Sequence, residues 1–460
     1  MLLNGLKLNK LKFDRPRDKE IIGMAWPSIA EQVLEMMVGL VSMMFMGSLG
    51  NPAVAAVGMV TTLMNFIQTV FSGLSIGTTV VIARVTGEGD IAEAKRTLVQ
   101  SMYMAAVAGL LLMIAGKAFS TPIIRFFMGG ADKEVLSLGS AYFGIILFNL
   151  PCLVLDIIVS GAMRGAGDVK PPMIITGGVN ILNIILNYAL IFGVPFLHIP
   201  AMGVRGSAIA VTVSRITGVT VRVLVLYTYK RLKLRLSLKD DYRFKPALMK
   251  RVIHIGVPGF IEQAVVQGGF LALQVVIVSM GTVAMAAYQI GININAIVFF
   301  PIFGFAIANT TLVGQSLGER DYEKAQTYAY ESLKLSMLLA FALGILTFSF
   351  APQLAMLYTT DPETIREATV IVCVFGVLEP LLAILNVCSA TLKAAGDIKY
   401  VMVTSLIGLW LLRVLPAFAL DRLLGWGLTA VCVSIFLDFS VRSVMYLVRM
   451  NKGSWKYLKV

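Results

Sequence analysis

The sequence is poor in charge and has very little histidine. Of its 460 residues, 14% are charged and two are histidines, whereas 57% are hydrophobic. A water-soluble protein carries nearer to a quarter charged residues. The composition therefore argues against an ordinary soluble domain, and chemistry that needs several histidines is not expected.

Motifs for catalysis and for ATP hydrolysis are also missing. The sequence has no HExxH metal motif, no nucleophile elbow and no P-loop, so we expect neither an enzyme nor an ATP-driven pump. The four cysteines lie in apolar stretches without metal-ligand spacing, which predicts plain core residues. We expect no cofactor and no metal beyond a transiently bound Na⁺.

Long apolar stretches occupy most of the chain, and each can cross about 30 Å of hydrocarbon. Every backbone amide in lipid must be hydrogen-bonded internally, so these stretches predict membrane-spanning helices. The twelve predicted spans are approximately 21–46, 53–83, 97–119, 136–160, 171–195, 203–229, 252–279, 283–315, 327–350, 368–392, 400–420 and 425–448.

The net charge of +13 is unevenly distributed. If the N-terminus is cytoplasmic, most Lys and Arg residues fall in cytoplasmic segments, which predicts a positive-inside topology with both termini in the cytoplasm. The excess charge thus indicates membrane topology, and we expect no nucleic-acid partner. The basic run from Lys230 to Arg251 predicts a solvated linker facing lipid headgroups.

The sequence repeats itself at an offset of 231 residues, which falls to 229 further along the chain. The repeated pairs include Pro27 and Pro258, Glu31 and Glu262, Gly73 and Gly304, Asp90 and Asp321, and Arg164 and Lys393. The repeat predicts two six-helix lobes, 1–235 and 252–460, joined by a basic cytoplasmic linker, 236–251. They should be related by a pseudo-twofold axis along the membrane normal, with a substrate path between them. Asp90, with Glu93 after it, further predicts the start of a short cytoplasmic helix.

Polar residues at membrane depth are costly and should face a cavity or a partner. In span 1, Glu31, Glu35 and Ser42 share one face of the helix. Glu31 and Glu262 could equally anchor helix ends. Glu35 has no counterpart in the repeat, because Val266 takes its place, and this asymmetry favours a specific role such as reversible proton binding.

Two sets of candidate residues follow from these patterns. The ion-coupling candidates are Glu35, Glu31, Asp156, Ser42, Asn183, Asn187, Glu262 and Glu379. The substrate-cavity candidates are Asn180, Gln267, Asn293, Asn386, Met36 and Met43, since amides bind polar groups and methionine adapts to varied apolar ligands. Asp438 and Arg442, spaced four residues apart, predict a structural ion pair.

Several short motifs resemble those of the multidrug and toxic compound extrusion (MATE) family, prokaryotic branch. They are Gly47-Ser-Leu-Gly50, Arg164-Gly-Ala-Gly-Asp168-Val-Lys-Pro-Pro-Met173, Gly203-Val-Arg-Gly-Ser-Ala-Ile-Ala210, Gly314-Gln-Ser-Leu-Gly318, Trp410-Leu-Leu-Arg413 and Gly453-Ser-Trp455. The resemblance implies an all-α polytopic membrane protein with twelve helices in two lobes around a central V-shaped cavity. It also implies an antiporter that expels organic, often cationic, compounds as Na⁺ or H⁺ enters by alternating access.

The departures from the family pattern concern the cation site of the N-lobe. Many prokaryotic relatives have Asp where this chain has Ser42, and an Asn and an Asp where it has Asn183 and Asn187. A Thr common in span 6 falls at Val211, with Thr212 beside it. We hypothesise that Glu35, with Glu31 or Asp156, supplies the missing charge; a C-lobe site at Glu262 or Glu379 is the alternative.

The leading interpretation is a cation-coupled exporter of small molecules, expected as a monomer in a prokaryotic cell membrane. The first alternative is a flippase for a lipid-linked precursor, which should have a more cationic cavity to bind phosphate. The second is a membrane-embedded enzyme or scaffold, against which the missing catalytic motifs and the two-lobe repeat argue.

Overall fold

A computed structural model of the chain describes residues 15–195 and 198–458. Its α-helices are α1 (Arg15–Gly47), α2 (Asn51–Gly87), α3 (Ile91–Ala118), α4 (Ser120–Met128), α5 (Lys133–Ile146), α6 (Leu150–Gly165), α7 (Lys170–Phe192), α8 (Gly203–Thr228), α9 (Pro246–Val278), α10 (Thr282–Gly318), α11 (Tyr322–Ser349), α12 (Ala351–Met356), α13 (Pro362–Ala394), α14 (Ile398–Leu406), α15 (Leu415–Leu424) and α16 (Leu428–Lys452). Within the described ranges, the β-type pairing is one isolated bridge between Val194 and Ile199.

The described residues contain twelve helical segments long and apolar enough to cross a membrane. Each of the twelve predicted spans overlaps one of them, so the predicted all-α polytopic fold is confirmed. The structure extends most spans at their polar ends: the stretch predicted as 53–83, for example, becomes α2, Asn51–Gly87. The apolar pattern underestimates these helices because their last turns leave the hydrocarbon and carry polar residues.

The predicted short helix after Gly87 is wrong. Asp90 does act as an N-cap, and its side chain accepts a hydrogen bond from the Glu93 backbone N–H at 2.8 Å. However, the helix that it caps is the long spanning helix α3 itself. Asp321 caps α11 in the same way, with 2.9 Å to the Lys324 N–H. The repeat therefore preserves the start of a membrane span.

Two spans are irregular in the middle. Span 4 consists of α5 and α6 joined by a 3₁₀ turn, Leu147–Asn149, and Pro151 lies in the first turn of α6. Span 11 consists of α14 and α15 joined by a π-helical stretch, Ile407–Val414. Proline accounts for the first break because it lacks a backbone donor. π-helical stretches inside α-helices are frequently found at functional sites.

The helices pack into two compact units. The N-terminal unit contains Ala30–Thr86 and Asp90–Gly256, and the C-terminal unit contains Val257–Val460, Gly87–Gly89 and the described residues up to Ile29. Both α1 and α9 are therefore divided. The first fifteen residues of α1 pack in the C-terminal unit, and the start of α9 packs in the N-terminal unit.

Glycines make this exchange of helix starts possible. In the N-terminal unit, Gly77 of α2 lies against the start of α9, and a Cβ there would approach the Val252 carbonyl oxygen to 2.5 Å. In the C-terminal unit, Gly304 of α10 faces Ala25 and Ile29 of α1 in the same manner. A larger side chain at either glycine would push the two backbones apart.

The connection between α8 and α9 is held on the surface of the N-terminal unit. The Gln100 side chain of α3 donates to the Arg243 carbonyl at 2.9 Å and accepts from the Lys245 N–H at 3.0 Å. The Tyr103 hydroxyl donates to the Tyr242 carbonyl at 3.0 Å. Although its composition is that of a solvated linker, this segment is tied to α3 by specific hydrogen bonds.

Candidate functional site

Glu31 lies in the interior of the N-terminal unit and is 3% exposed. One carboxylate oxygen is 3.0 Å from the Arg164 guanidinium at the end of α6. The other accepts a hydrogen bond from the Thr176 hydroxyl of α7 at 3.2 Å. A buried charge is tolerated when it is paired and hydrogen-bonded in this way. Glu31, Arg164 and Thr176 thus join three helices.

The C-terminal unit builds the same arrangement from the repeated positions. Glu262 is 2.7 Å from the Lys393 ammonium at the end of α13. Its other oxygen faces the Ser405 hydroxyl of α14 at 3.5 Å. The sequence offsets of 231 and 229 therefore place the equivalent acid, base and hydroxyl together in each unit. Glu31 and Glu262 do more than anchor helix ends, because each binds two further helices.

Asp156 on α6 is bound by two arginines of α8. Arg215 approaches one carboxylate oxygen at 3.3 Å, and Arg222 makes a short contact with the other. Arg222 also donates to the Thr176 hydroxyl at 3.0 Å, which connects Asp156 to the Glu31 group. Arg215 and Arg222 were missed in the sequence; charged residues seven apart on an apolar helix were the signal available.

Glu35 lies one turn beyond Glu31 on α1 and is half-buried. It is within electrostatic reach of Glu31, Asp156, Arg164 and Arg215. In the part of the chain that the structure describes, no residue lies within hydrogen-bond or ion-pair distance of its carboxyl group. Glu35 is thus the acid of this group that neighbouring arginines do not bind directly.

We call these six residues the N-terminal charge cluster. Its members are Glu31, Glu35, Asp156, Arg164, Arg215 and Arg222. The cluster holds three carboxyl and three guanidinium groups, so it is neutral overall when every group is charged. Adding one proton gives it a net positive charge, and Glu35 is the carboxyl without a paired cation to displace.

Asn180, Asn183 and Asn187 follow one face of α7 at spacings of three and four residues. Asn187 is fully buried and its amide donates to the Asn183 carbonyl oxygen at 2.8 Å. The Asn187 oxygen and the Asn180 amide nitrogen are buried without a partner among the described residues. Ser42 on α1 is half-buried. These groups offer oxygens to a small cation, but none carries a negative charge.

Glu379 on α13 forms a separate site in the C-terminal unit. It is 1% exposed, and one of its oxygens accepts a hydrogen bond from the Asn295 amide of α10 at 2.6 Å. The other oxygen is buried without a partner among the described residues. Asn293, the predicted cavity residue, is exposed two positions away, so Asn295 provides the contact.

The remaining cavity candidates are divided between the two units. Asn386 donates to the Leu382 carbonyl of its own helix at 2.9 Å, and Gln267 is half-buried on α9. Met36 is half-buried and Met43 is 37% exposed on α1. The structure does not bring these four residues to one site within a unit.

The predicted ion pair of Asp438 and Arg442 is confirmed, and it includes a third residue. Asp438 is fully buried and contacts both Arg442 and the Arg413 guanidinium, the latter at 2.6 Å. Arg413 projects from the π-helical stretch and lies over the rings of Phe270 and Phe439. These contacts tie span 11 to α16 in the interior of the C-terminal unit.

A family model described as MatE matches the chain over residues 27–189 and 258–419, one stretch in each half of the repeat. The chain belongs to the MatE family. A Thermotoga maritima protein described as "probable multidrug resistance protein NorM" is 31% identical over 438 residues, covering 95% of this chain and 93% of the relative. A Bacillus subtilis protein described as "uncharacterized transporter YisQ" is 26% identical and covers 96% of both chains.

Solved structures agree with the MatE assignment at the level of the fold. One is an outward-facing multidrug resistance MATE family transporter, with a TM-score of 0.87, 22% identity and coverage of 95% of this chain and 97% of the other. Another is a MOP superfamily transporter from Pyrococcus furiosus, with a TM-score of 0.87, 22% identity and coverage of 96% and 97%. The chain is thus a multi-pass membrane protein of a transporter family, in its prokaryotic branch.

In this MatE-family protein, the structure brings together only part of the predicted N-lobe site. Glu31, Glu35 and Asp156 share one cluster, and Asn183 contacts Asn187. Among the described residues, no group of three or more His, Cys, Asp or Glu side chains is placed to hold a metal ion. Arginine guanidinium groups balance the charges of the buried Glu31 and the partly buried Asp156.

Proposed function

We propose that the protein is a secondary active antiporter that exports organic, cationic or amphiphilic small molecules by alternating access. Membership in the MatE family and relatives described as multidrug resistance proteins support this proposal. The coupling ion that we favour is H⁺, and Na⁺ is the alternative. No cofactor is needed for exchange driven by an ion gradient.

The observation that carries the proposal is the position of Glu35 within the N-terminal charge cluster. Glu31 is bound by Arg164, and Asp156 by Arg215 and Arg222. Protonating a carboxyl that is already paired would leave a largely buried guanidinium without its counter-charge, which is costly. Glu35 has electrostatic neighbours but no direct partner, so it can gain and lose a proton with the least disturbance.

Exchange follows from the charge balance of the cluster. With Glu35 ionised, the cluster is neutral and a carboxylate is available to an organic cation. With Glu35 protonated, the cluster is positive and repels a cation. A proton and a cationic substrate therefore exclude each other at Glu35, which is the requirement for coupled antiport.

Glu379 is a second candidate for the coupling site. It is buried with an amide as its partner and has one unpartnered oxygen. Protonation would remove the free-energy cost of an uncompensated charge at membrane depth. Glu379 lies in the C-terminal unit, whereas Glu35 lies in the N-terminal unit, so their substitutions separate the two possibilities.

The test is dye transport in liposomes that contain the purified protein, with pH and Na⁺ gradients imposed separately. We expect a pH gradient alone to drive a fluorescent cationic dye. Glu35→Gln should lower the initial rate by about tenfold or more, since loss of a proton-transferring group typically costs at least this factor. Glu35→Asp should retain part of the rate because it keeps the carboxyl group.

Matched variants locate the site. Glu379→Gln serves as the C-terminal comparison, and Glu93→Gln alters a half-buried acid at the start of α3 that lies outside the cluster and pairs with Arg251. If Glu35→Gln keeps full pH-driven transport and Glu379→Gln loses it, the proton-coupling site lies in the C-terminal unit. Transport driven only by Na⁺ would refute proton coupling and direct attention to Asn183 and Asn187.

The flippase alternative is not favoured, because the relatives with assigned roles are described as multidrug resistance proteins. Dye that moves under neither gradient would revive it. We further propose a monomer in the prokaryotic cell membrane with both termini in the cytoplasm. The uneven distribution of Lys and Arg residues supports this orientation.

A further inference from the structure

An apolar groove of about 570 Å³ lies on the C-terminal unit between α9 and span 11. Ala272, Val275 and Val276 of α9 form one wall. Trp410, Val414 and Phe418 form the other wall; successive members are four positions apart, so they follow one face of the span. The groove thus runs along the helix axis for about two turns, or roughly 12 Å.

Two glycines close one end of this groove. At Gly268 and Gly269, α9 has no side chains, and Trp410 and Leu409 approach its backbone closely. The Trp410 indole N–H donates to the Val265 carbonyl oxygen at 3.2 Å, which fixes the ring as an end wall. Beyond these glycines, side chains hold the two helices apart and leave the groove open.

A positive charge stands at the other end. Arg422 lies one turn beyond Phe418, and its guanidinium is 5.8 Å from the centre of that ring. Arg422 is exposed, and the described residues include no carboxylate within ion-pair distance of it. A stacked guanidinium with free N–H donors is well suited to bind phosphate in two-point geometry.

The dimensions match one leaflet of a bilayer. Trp410 and Arg422 are twelve positions apart in the sequence, which corresponds to about 18 Å along the helix. Half of the hydrocarbon core is about 15 Å thick. If Trp410 stands near the midplane, Arg422 reaches the depth of the headgroups. The exposed Trp426 just beyond it fits the aromatic belt at a membrane interface.

From this geometry we infer that the groove binds an anionic phospholipid, with one acyl chain between α9 and span 11 and the phosphate on Arg422. The site goes beyond the proposed transport function, because it requires neither Glu35 nor Glu379. The groove is also bordered by the π-helical stretch Ile407–Val414, whose residues face two different environments. Trp410 and Val414 face the groove, whereas Arg413 binds buried Asp438.

The test uses Trp410 as a reporter in full-length protein reconstituted in phosphatidylcholine nanodiscs. Trp26→Phe and Trp426→Phe remove the two most exposed tryptophans, leaving Trp410 and fully buried Trp455. Phosphatidylglycerol with dibrominated acyl chains is titrated in, and dibrominated phosphatidylcholine is titrated in parallel. We expect phosphatidylglycerol to reach half-maximal quenching at an about fivefold lower mole fraction than phosphatidylcholine. This factor corresponds to the attraction of one interfacial arginine for an anionic lipid.

Three variants distinguish the parts of the site. Arg422→Gln should abolish the preference for phosphatidylglycerol but retain quenching by both lipids. Arg366→Gln is the control and should leave the preference for phosphatidylglycerol unchanged. Arg366 is an exposed arginine at the start of α13. Two spans separate it from Arg422, so both arginines lie on the same side of the membrane. Ala272→Leu should weaken quenching by both lipids, because it fills the groove.

Two results would overturn the inference. The first compares fluorescence quenching with that of a matched variant that also carries Trp410→Phe. If quenching is no greater with Trp410 than without it, no acyl chain occupies the groove. Equal quenching by the two lipids, unchanged by Arg422→Gln, would mean that ordinary surrounding lipid fills it without recognition of the headgroup.

Discussion

The strongest energetic prediction concerns the repeated buried ion pairs. We consider Glu31→Gln, Arg164→Gln and the double variant. Glutamine keeps the shape of Glu31 and an oxygen that can accept from Thr176, so the single change removes the charge and the acceptor that faces Arg164. The Glu31 and Arg164 side chains are 4% and 18% exposed, which leaves little water to compensate the loss.

The expected coupling energy is about 3 kcal/mol. Removing one partner of a buried pair costs about 3–5 kcal/mol, and the partial exposure of Arg164 favours the lower end of that range. Glu262 and Lys393 should give a similar value, because they are 2.7 Å apart with side-chain exposures of 6% and 12%. The symmetry of the two units thus predicts two similar coupling energies.

The assay is a double-mutant cycle on the free energy of unfolding, measured by titration with a denaturing detergent. The control is the pair of Glu93 and Arg251, which are 2.9 Å apart but 32% and 26% exposed. For such a pair we expect less than about 1 kcal/mol. If Glu31 and Arg164 couple no more strongly than this control pair, the reasoning that their ion pair stabilises the packing of α1 against α6 is refuted.

Two further predictions concern the C-terminal unit and the loop after α6. Gly408→Ala should destabilise the protein by about 1–3 kcal/mol, because the added methyl group would overlap the Arg442 and Asp438 side chains. Thermal unfolding measures this loss. The control is Gly130→Ala, whose methyl group would meet no neighbour, and it should leave stability unchanged. Burial raises the pKa of the Asp168 carboxyl, although the Lys233 backbone N–H opposes the shift. The carboxyl is therefore favoured in its protonated form by folding, and its contribution to stability is lost as pH rises through the raised pKa. Asp168→Asn should gain melting temperature relative to wild type as pH rises above the ordinary aspartate pKa of about 4, and a difference that stays constant with pH would contradict the argument.

The sequence predicted which positions of the site are equivalent, but not which residues they contact. Glu31 and Glu262 were recognisable as a pair because the repeat aligns them, and so were Arg164 and Lys393. Their ion pairs depend on how the end of α6 or α13 packs beside α1 or α9, which is a tertiary property. Helical periodicity describes one helix at a time.

The residues that were missed are those whose function depends on a partner. Arg215 and Arg222 carried no motif, yet they bind Asp156. The sequence placed Asp156 on the same helix as Arg164, eight residues away, but the structure pairs it with a different helix. Thr176 and Ser405 were unremarkable hydroxyls until their acceptors were known. By contrast, the sequence alone showed that Glu35 has no counterpart in the repeat, because Val266 takes its place.

The exchange of helix starts between α1 and α9 bears on how such a chain could have originated. A protein of half this length could not bury the beginning of its own first helix, because each unit receives that segment from the other half. Two copies could do so only by exchanging this segment, as the subunits of a domain-swapped dimer do. Gene duplication and fusion would then have placed both exchanged segments in one chain. A chain cut between α8 and α9 should accordingly yield fragments that are stable together and incomplete apart.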